Sequence, residues 1–100
     1  MNDLTNLIRA WAVDRGLDQA DPTKQMLKLI EEVGELASAM NKSNREGIVD
    51  GIGDAFVVLV ILSLQLDLDI AKCVQMAYNE IKDRKGKMIN GVFMKESDFQ

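Results

Sequence analysis

The chain has 100 residues, 47% of them hydrophobic, one proline and a formal net charge of −4, which excludes a disordered polymer and leaves room for one small domain. A pI near 4.7 argues against a nucleic-acid partner, because holding a phosphate backbone needs excess Lys and Arg. Cys73 is the single cysteine and there is no histidine. Disulfides, thiolate cages and zinc chemistry are therefore not expected, the compartment is read as cytoplasmic, and Cys73 is expected in the core.

In chain order, Leu4, Leu7, Ile8 and Trp11 recur at helical spacing and predict a first helix over residues 3–15. Its charges interrupt any apolar segment of the signal-peptide kind. "DRGLDQADPT" then supplies the Gly, Asp and Pro that stop one helix and start another, with Asp21 as N-cap and Pro22 in the first turn of a helix running to about Asn41. A polar connector, "NKSNREG", leads to a third helix from about Glu46 to Leu66. Gly51 and Gly53 each cost that helix about 1 kcal/mol relative to alanine if exposed, so close approach of another backbone is expected there. Its most apolar run, "AFVVLVILSLQL", is shorter than the roughly 20 residues of a membrane span, and no membrane partner is expected.

"DLD" at 67–69 breaks the chain before a fourth helix from about Ile70 to Arg84, with Ile70, Val74, Ala77 and Ile81 as its core stripe. The tail, "KGKMINGVFMKESDFQ", carries an Asn90-Gly91 turn signal between two short apolar pieces. The fold class is therefore all-α: a single domain of antiparallel helices over residues 1–100, with a short irregular or hairpin tail. The third helix is apolar around most of its circumference, more than four helices can cover. A four-helix bundle completed by a homodimer or homotetramer is expected, with the site near a subunit boundary.

The acids are placed against this pattern. Leu29, Val33, Leu36 and Met40 read as the apolar stripe of the second helix, which puts Glu32 at its edge, Glu35 and Lys28 one step further round, and Glu31 nearly opposite. On the third helix Asp50 and Asp54 fall in line with Val57 and Ile61. Carboxylates beside a core must be neutralised, and four of them on facing helices suit a hard divalent cation such as Mg²⁺, with Mn²⁺ as the alternative. The competing reading is a solvated face paired with Lys28, Lys42 and Arg45. On the fourth helix Asn79 and Lys82 share a face, followed by Arg84, Lys85 and Lys87. A basic cluster also suits a helix C-terminus, but in one domain with an acidic metal site it suggests a phosphate-bearing ligand.

"KLIEEVGEL", then "DGIGDAFVVLVIL", then "NEIKDRKGK" together resemble the MazG-like all-α nucleotide pyrophosphohydrolases, most closely the short phage-type members. The resemblance implies Mg²⁺-dependent hydrolysis of nucleoside triphosphates to the monophosphate and pyrophosphate. Glu31, Glu32 and Glu35 match the family's EExxE motif, with Glu32 and Glu35 as metal ligands, and Asp54 matches the aspartate of ExxD. Gly51 stands where that second motif has its glutamate, and Asp50, one residue earlier, is the candidate replacement. Asn79 and Lys82 match the family's phosphate contacts. Arg84, Lys85, Lys28 and, for base stacking, Trp11 complete the substrate-binding candidates, although the spacing of Trp11 favours a core position. Glu31 or Glu35 is the candidate for activating water, with Lys82 offsetting phosphate charge.

Overall fold

Asn2 opens the first helix, α1 (Asp3–Asp14), by accepting from Thr5 N–H at 3.0 Å and from the Thr5 hydroxyl at 3.2 Å. The second bond satisfies the Thr5 hydroxyl, which lets that residue be buried. The computed structural model describes residues 2–98; Met1 and the last two residues of the predicted tail, Phe99 and Gln100, lie outside the described residues. Gly16, at a φ of 74°, takes the left-handed conformation that ends α1 and turns the chain into a 3-10 helix, Leu17–Gln19.

Asp21 caps α2 (Pro22–Asn41) as expected, accepting from Thr23 N–H at 2.9 Å. Asn44 caps α3 (Arg45–Gln65) through Gly47 N–H at 3.1 Å. The described chain divides into two compact units, one ending at Ile70 and the other beginning at Ala71.

In the first unit α2 packs along α3, and α1 and the 3-10 helix lie against α3 as well. Gln65 fixes the 3-10 helix by donating its amide to the Leu17 carbonyl at 3.0 Å. The interior of α3 is Gly51, Val58, Val60, Ile61 and Ser63, residues from more than one of its faces. Gly51 is there because α2 comes so close: an added Cβ would stand 3.1 Å from both Cβ and Cδ1 of Leu36, and 3.3 Å from its Cα. Gly53 faces open space, so close approach does not explain it.

The inward stripe of α2 differs from the expected one. Gln25, Leu29, Glu32, Leu36 and Ala39 are the buried or half-buried positions, while Val33 and Met40 are 51% and 61% exposed. α2 has apolar residues on two faces, and hydrophobic spacing picks the face that lacks a charge; the fold buries the one that contains Glu32.

In the second unit α4 (Ile70–Ile81) stops three residues before the expected end. The chain then forms an antiparallel hairpin of β1 (Gly86–Ile89) and β2 (Val92–Lys95), in register from Gly86 with Lys95 to Ile89 with Val92. Asn90 and Gly91 both have positive φ, 51° and 79°, the signature of the two-residue turn their sequence announced. Val74 and Ile81 of the expected α4 stripe are exposed, and so is Cys73, against its expected core position. Ile70, at the head of that stripe, is buried as expected, but beyond it the apolar face of α4 stays open among the described residues.

Candidate functional site

Glu32 is the only buried carboxylate among the described residues, 7% exposed. Lys28, one turn earlier on α2, sets its ammonium 3.2 Å from Glu32 Oε1 and 3.9 Å from Glu31 Oε2. Glu32 raises the Lys28 pKa above the usual lysine value, first by hydrogen bonding and then by Coulombic attraction. Glu32 Oε2 is buried with no hydrogen-bond partner. An ionised oxygen in that state is costly unless a cation or donor meets it. Glu31 is exposed on the outer side, as the helical geometry required.

Two hollows flank this position. One, of about 390 Å³, is lined by Lys24, Gln25, Lys28 and Glu32 of α2, Asp54, Val57, Val58 and Ile61 of α3, and Trp11 and Leu17. The other, of about 210 Å³, brings together Glu35, Ser38, Lys42, Asn44, Asp50 and Asp54. Half-buried Asp54 belongs to both and joins them. Glu35 and Asp50 are exposed, so Asp50 stands at the edge of the α3 stripe rather than in line with its core.

As the side chains stand, no three acids among the described residues are gathered closely enough to hold a metal ion. The donor set nevertheless fits a hard cation by its chemistry: carboxylate oxygens throughout, one of them buried and unpartnered. Of the cations in the competing salt-bridged reading, Lys28 pairs with Glu31 and Glu32, while Lys42 lines the second hollow.

Trp11 is 47% exposed and lines the larger hollow, contrary to its expected core position. The Arg15 guanidinium lies 4.2 Å from its ring centroid, covering one face, and donates to the Trp11 carbonyl at 3.1 Å. Periodicity missed this because the buried positions of α1 are the small residues Thr5 and Ala12. Gln25 was also missed; its amide donates to the Val58 carbonyl at 3.4 Å. Its place seven residues before Glu32, on the same inward stripe, was the available signal.

The remaining candidates sit in the second unit. Asn79 accepts from the Gln75 amide at 3.0 Å on exposed α4, and Lys82 follows the end of that helix. Arg84 and Lys85 line a hollow of about 460 Å³ with Lys95, Glu80, Asp83 and Glu96, so acids accompany the basic cluster there.

Four α-helices with only a small two-stranded hairpin among the described residues make this an all-α protein. The chain matches the MazG nucleotide pyrophosphohydrolase domain over residues 20–89, from the start of α2 through β1, and it belongs to that family. It is 48% identical over 73 residues to an uncharacterised 18.2 kDa protein in the rep-hol intergenic region of Haemophilus phage HP1 (strain HP1c1). That match takes in 69% of this chain and 45% of the relative, so the chain spans less than half the length of the curated relative it matches. No solved structure matches the chain significantly.

Proposed function

We propose that the protein hydrolyses (deoxy)nucleoside triphosphates to the monophosphate and pyrophosphate, at the acid-lined hollows between α2 and α3. The observation that carries this reading is buried Glu32, its unpartnered Oε2 facing the lack of any protein donor beside a hollow that Asp54 also lines. In the reaction a water oxygen bonds to the α-phosphorus, the bond from that phosphorus to the α–β bridging oxygen breaks, and pyrophosphate leaves.

Glu32, Glu35 and Asp54, with Asp50 in the place that Gly51 cannot fill, are the residues that would hold Mg²⁺ or Mn²⁺. A divalent ion bound there supplies charge neutralisation at the phosphates and a more acidic water. Exposed Glu35 or Glu31 takes the proton from the attacking water. Lys28 meets phosphate oxygens at the hollow that it lines with Glu32 and Asp54. Trp11 offers the ring face that Arg15 leaves free to a nucleobase, over a hollow whose α3 wall is Val57, Val58 and Ile61.

A homodimer or homotetramer accompanies this reading. Met26, Ile30, Val33 and Met40 form a second, exposed apolar stripe on α2, and Val49 and Ile52 do the same on α3. Contiguous apolar surface of this kind calls for a partner.

Purified protein with Mg²⁺ or Mn²⁺ is expected to release pyrophosphate from at least one member of a panel of canonical and modified dNTPs that includes dUTP, dCTP and dATP. Glu35→Gln should lower that rate by about 100-fold or more. Background release across the panel, or an unchanged rate in the variant, refutes hydrolysis at this site.

Gly51 in the ExxD position favours a second reading, in which the domain binds nucleotide or metal without turnover. Stabilisation by Mg²⁺ and dNTP together, with no pyrophosphate released, is the result that would select it.

A further inference from the structure

The one buried carboxylate among the described residues is neutralised by a cation of its own helix, and only on one oxygen. Lys28 Nζ stands 3.2 Å from Glu32 Oε1, and Oε2 has no partner. The pair is built at i,i+4, so it opens by side-chain rotation alone, with no change in the backbone. The Lys28 side chain is 52% exposed and already leans towards Glu31 at 3.9 Å, which offers the ammonium a second anionic neighbour outside the interior. Lys28, Glu32 and Asp54 line one hollow, so an ammonium that leaves Glu32 stays beside the acids it served. A dication approaching Glu32 meets a positive charge in contact with the same carboxylate, and the two like charges repel.

We propose that Lys28 is a resident counter-cation of Glu32, displaced when a divalent cation binds, so that metal loading at this site is an exchange of one cation for another. The exchange rests on Glu32 being a divalent-cation ligand. It also accounts for the half-satisfied carboxylate: the ammonium meets only one oxygen, and the other gains a partner only when the divalent ion takes the place of the ammonium.

The test is Mn²⁺ binding in the absence of nucleotide, read from the EPR signal of free Mn²⁺, for the wild-type chain and for Lys28→Arg, Lys28→Gln and Lys28→Met. Circular dichroism checks that each variant keeps its helices. Gln retains a neutral donor for Oε1, so it remains informative where Met does not fold. With the competing charge removed, Gln and Met are expected to lower the Kd for Mn²⁺ about tenfold, while Arg stays within about twofold of wild type. Mn²⁺ binding by the wild type with equal or weaker affinity in folded Gln and Met variants would overturn the exchange and leave the metal site standing. Absence of Mn²⁺ binding in all four proteins would overturn both.

Discussion

Position 32 shows how a single residue can oppose stability to function. A buried carboxylate with one oxygen unsatisfied is a destabilising feature, and replacing such a group with an apolar side chain of similar size often raises stability. Glu32→Met is therefore expected to stabilise the fold by about 1–3 kcal/mol, measured by urea unfolding, and to abolish pyrophosphate release. A destabilised variant would mean that the Lys28 pair outweighs the burial penalty. The same pair has a signature in alkali. Glu32 raises the Lys28 pKa above 10.5, so the stabilisation from the pair is present in full below the unfolded lysine value and is lost as the pH rises through the higher folded value. The melting-temperature gap between wild type and Lys28→Met should hold steady from about pH 7 to 9.5 and shrink above about pH 10.5. The division of the glutamates into an outward Glu31 and an inner Glu32 was legible from helical geometry alone. The depth of Glu32 was not, since periodicity assigns charge to the outside and cannot register that an acid is kept inward at a cost.

Among the elements, helix boundaries were readable wherever the chain carries its own punctuation. Asp21 with Pro22 and the Asn90-Gly91 turn each satisfy a backbone requirement locally, so no tertiary knowledge was needed to find them. The end of α4 and the choice of inward face on α1 and α2 were less legible, because both depend on what the element packs against. Gly51 is the clearest case of a local oddity with a tertiary cause. Gly51→Ala is expected to destabilise the first unit by about 1–3 kcal/mol, since a methyl group there crowds Leu36 across the α2–α3 contact. Gly53→Ala, facing open space, should be neutral or stabilising by up to about 1 kcal/mol. Chemical denaturation of the two variants compares them directly, and equal midpoints would contradict the close approach.

For the whole molecule, the exposed apolar faces outnumber what a small monomer usually presents. α1 shows Leu4, Leu7 and Trp11, α2 its second stripe, and α4 Val74, Met76 and Ile81. Sedimentation at micromolar concentration is expected to give a dimer or tetramer, and Val33→Lys combined with Ile30→Lys should shift it towards monomer. A wild-type monomer would contradict the oligomer. That surplus was visible in the sequence as a third helix apolar on too many sides; which helices carry the open faces depended on the packing of α2.

The contact between Gly51 and Leu36 also carries a historical consequence. A glutamate introduced at position 51 to complete the ExxD motif would set its first side-chain carbon 3.1 Å from Leu36, so Leu36 would have to give way to admit it. A smaller residue at position 36 would relieve that crowding, but on its own it opens a void between the helices. The two sites are therefore epistatic, and this chain is entrenched in its own acid set by a leucine that touches no ligand.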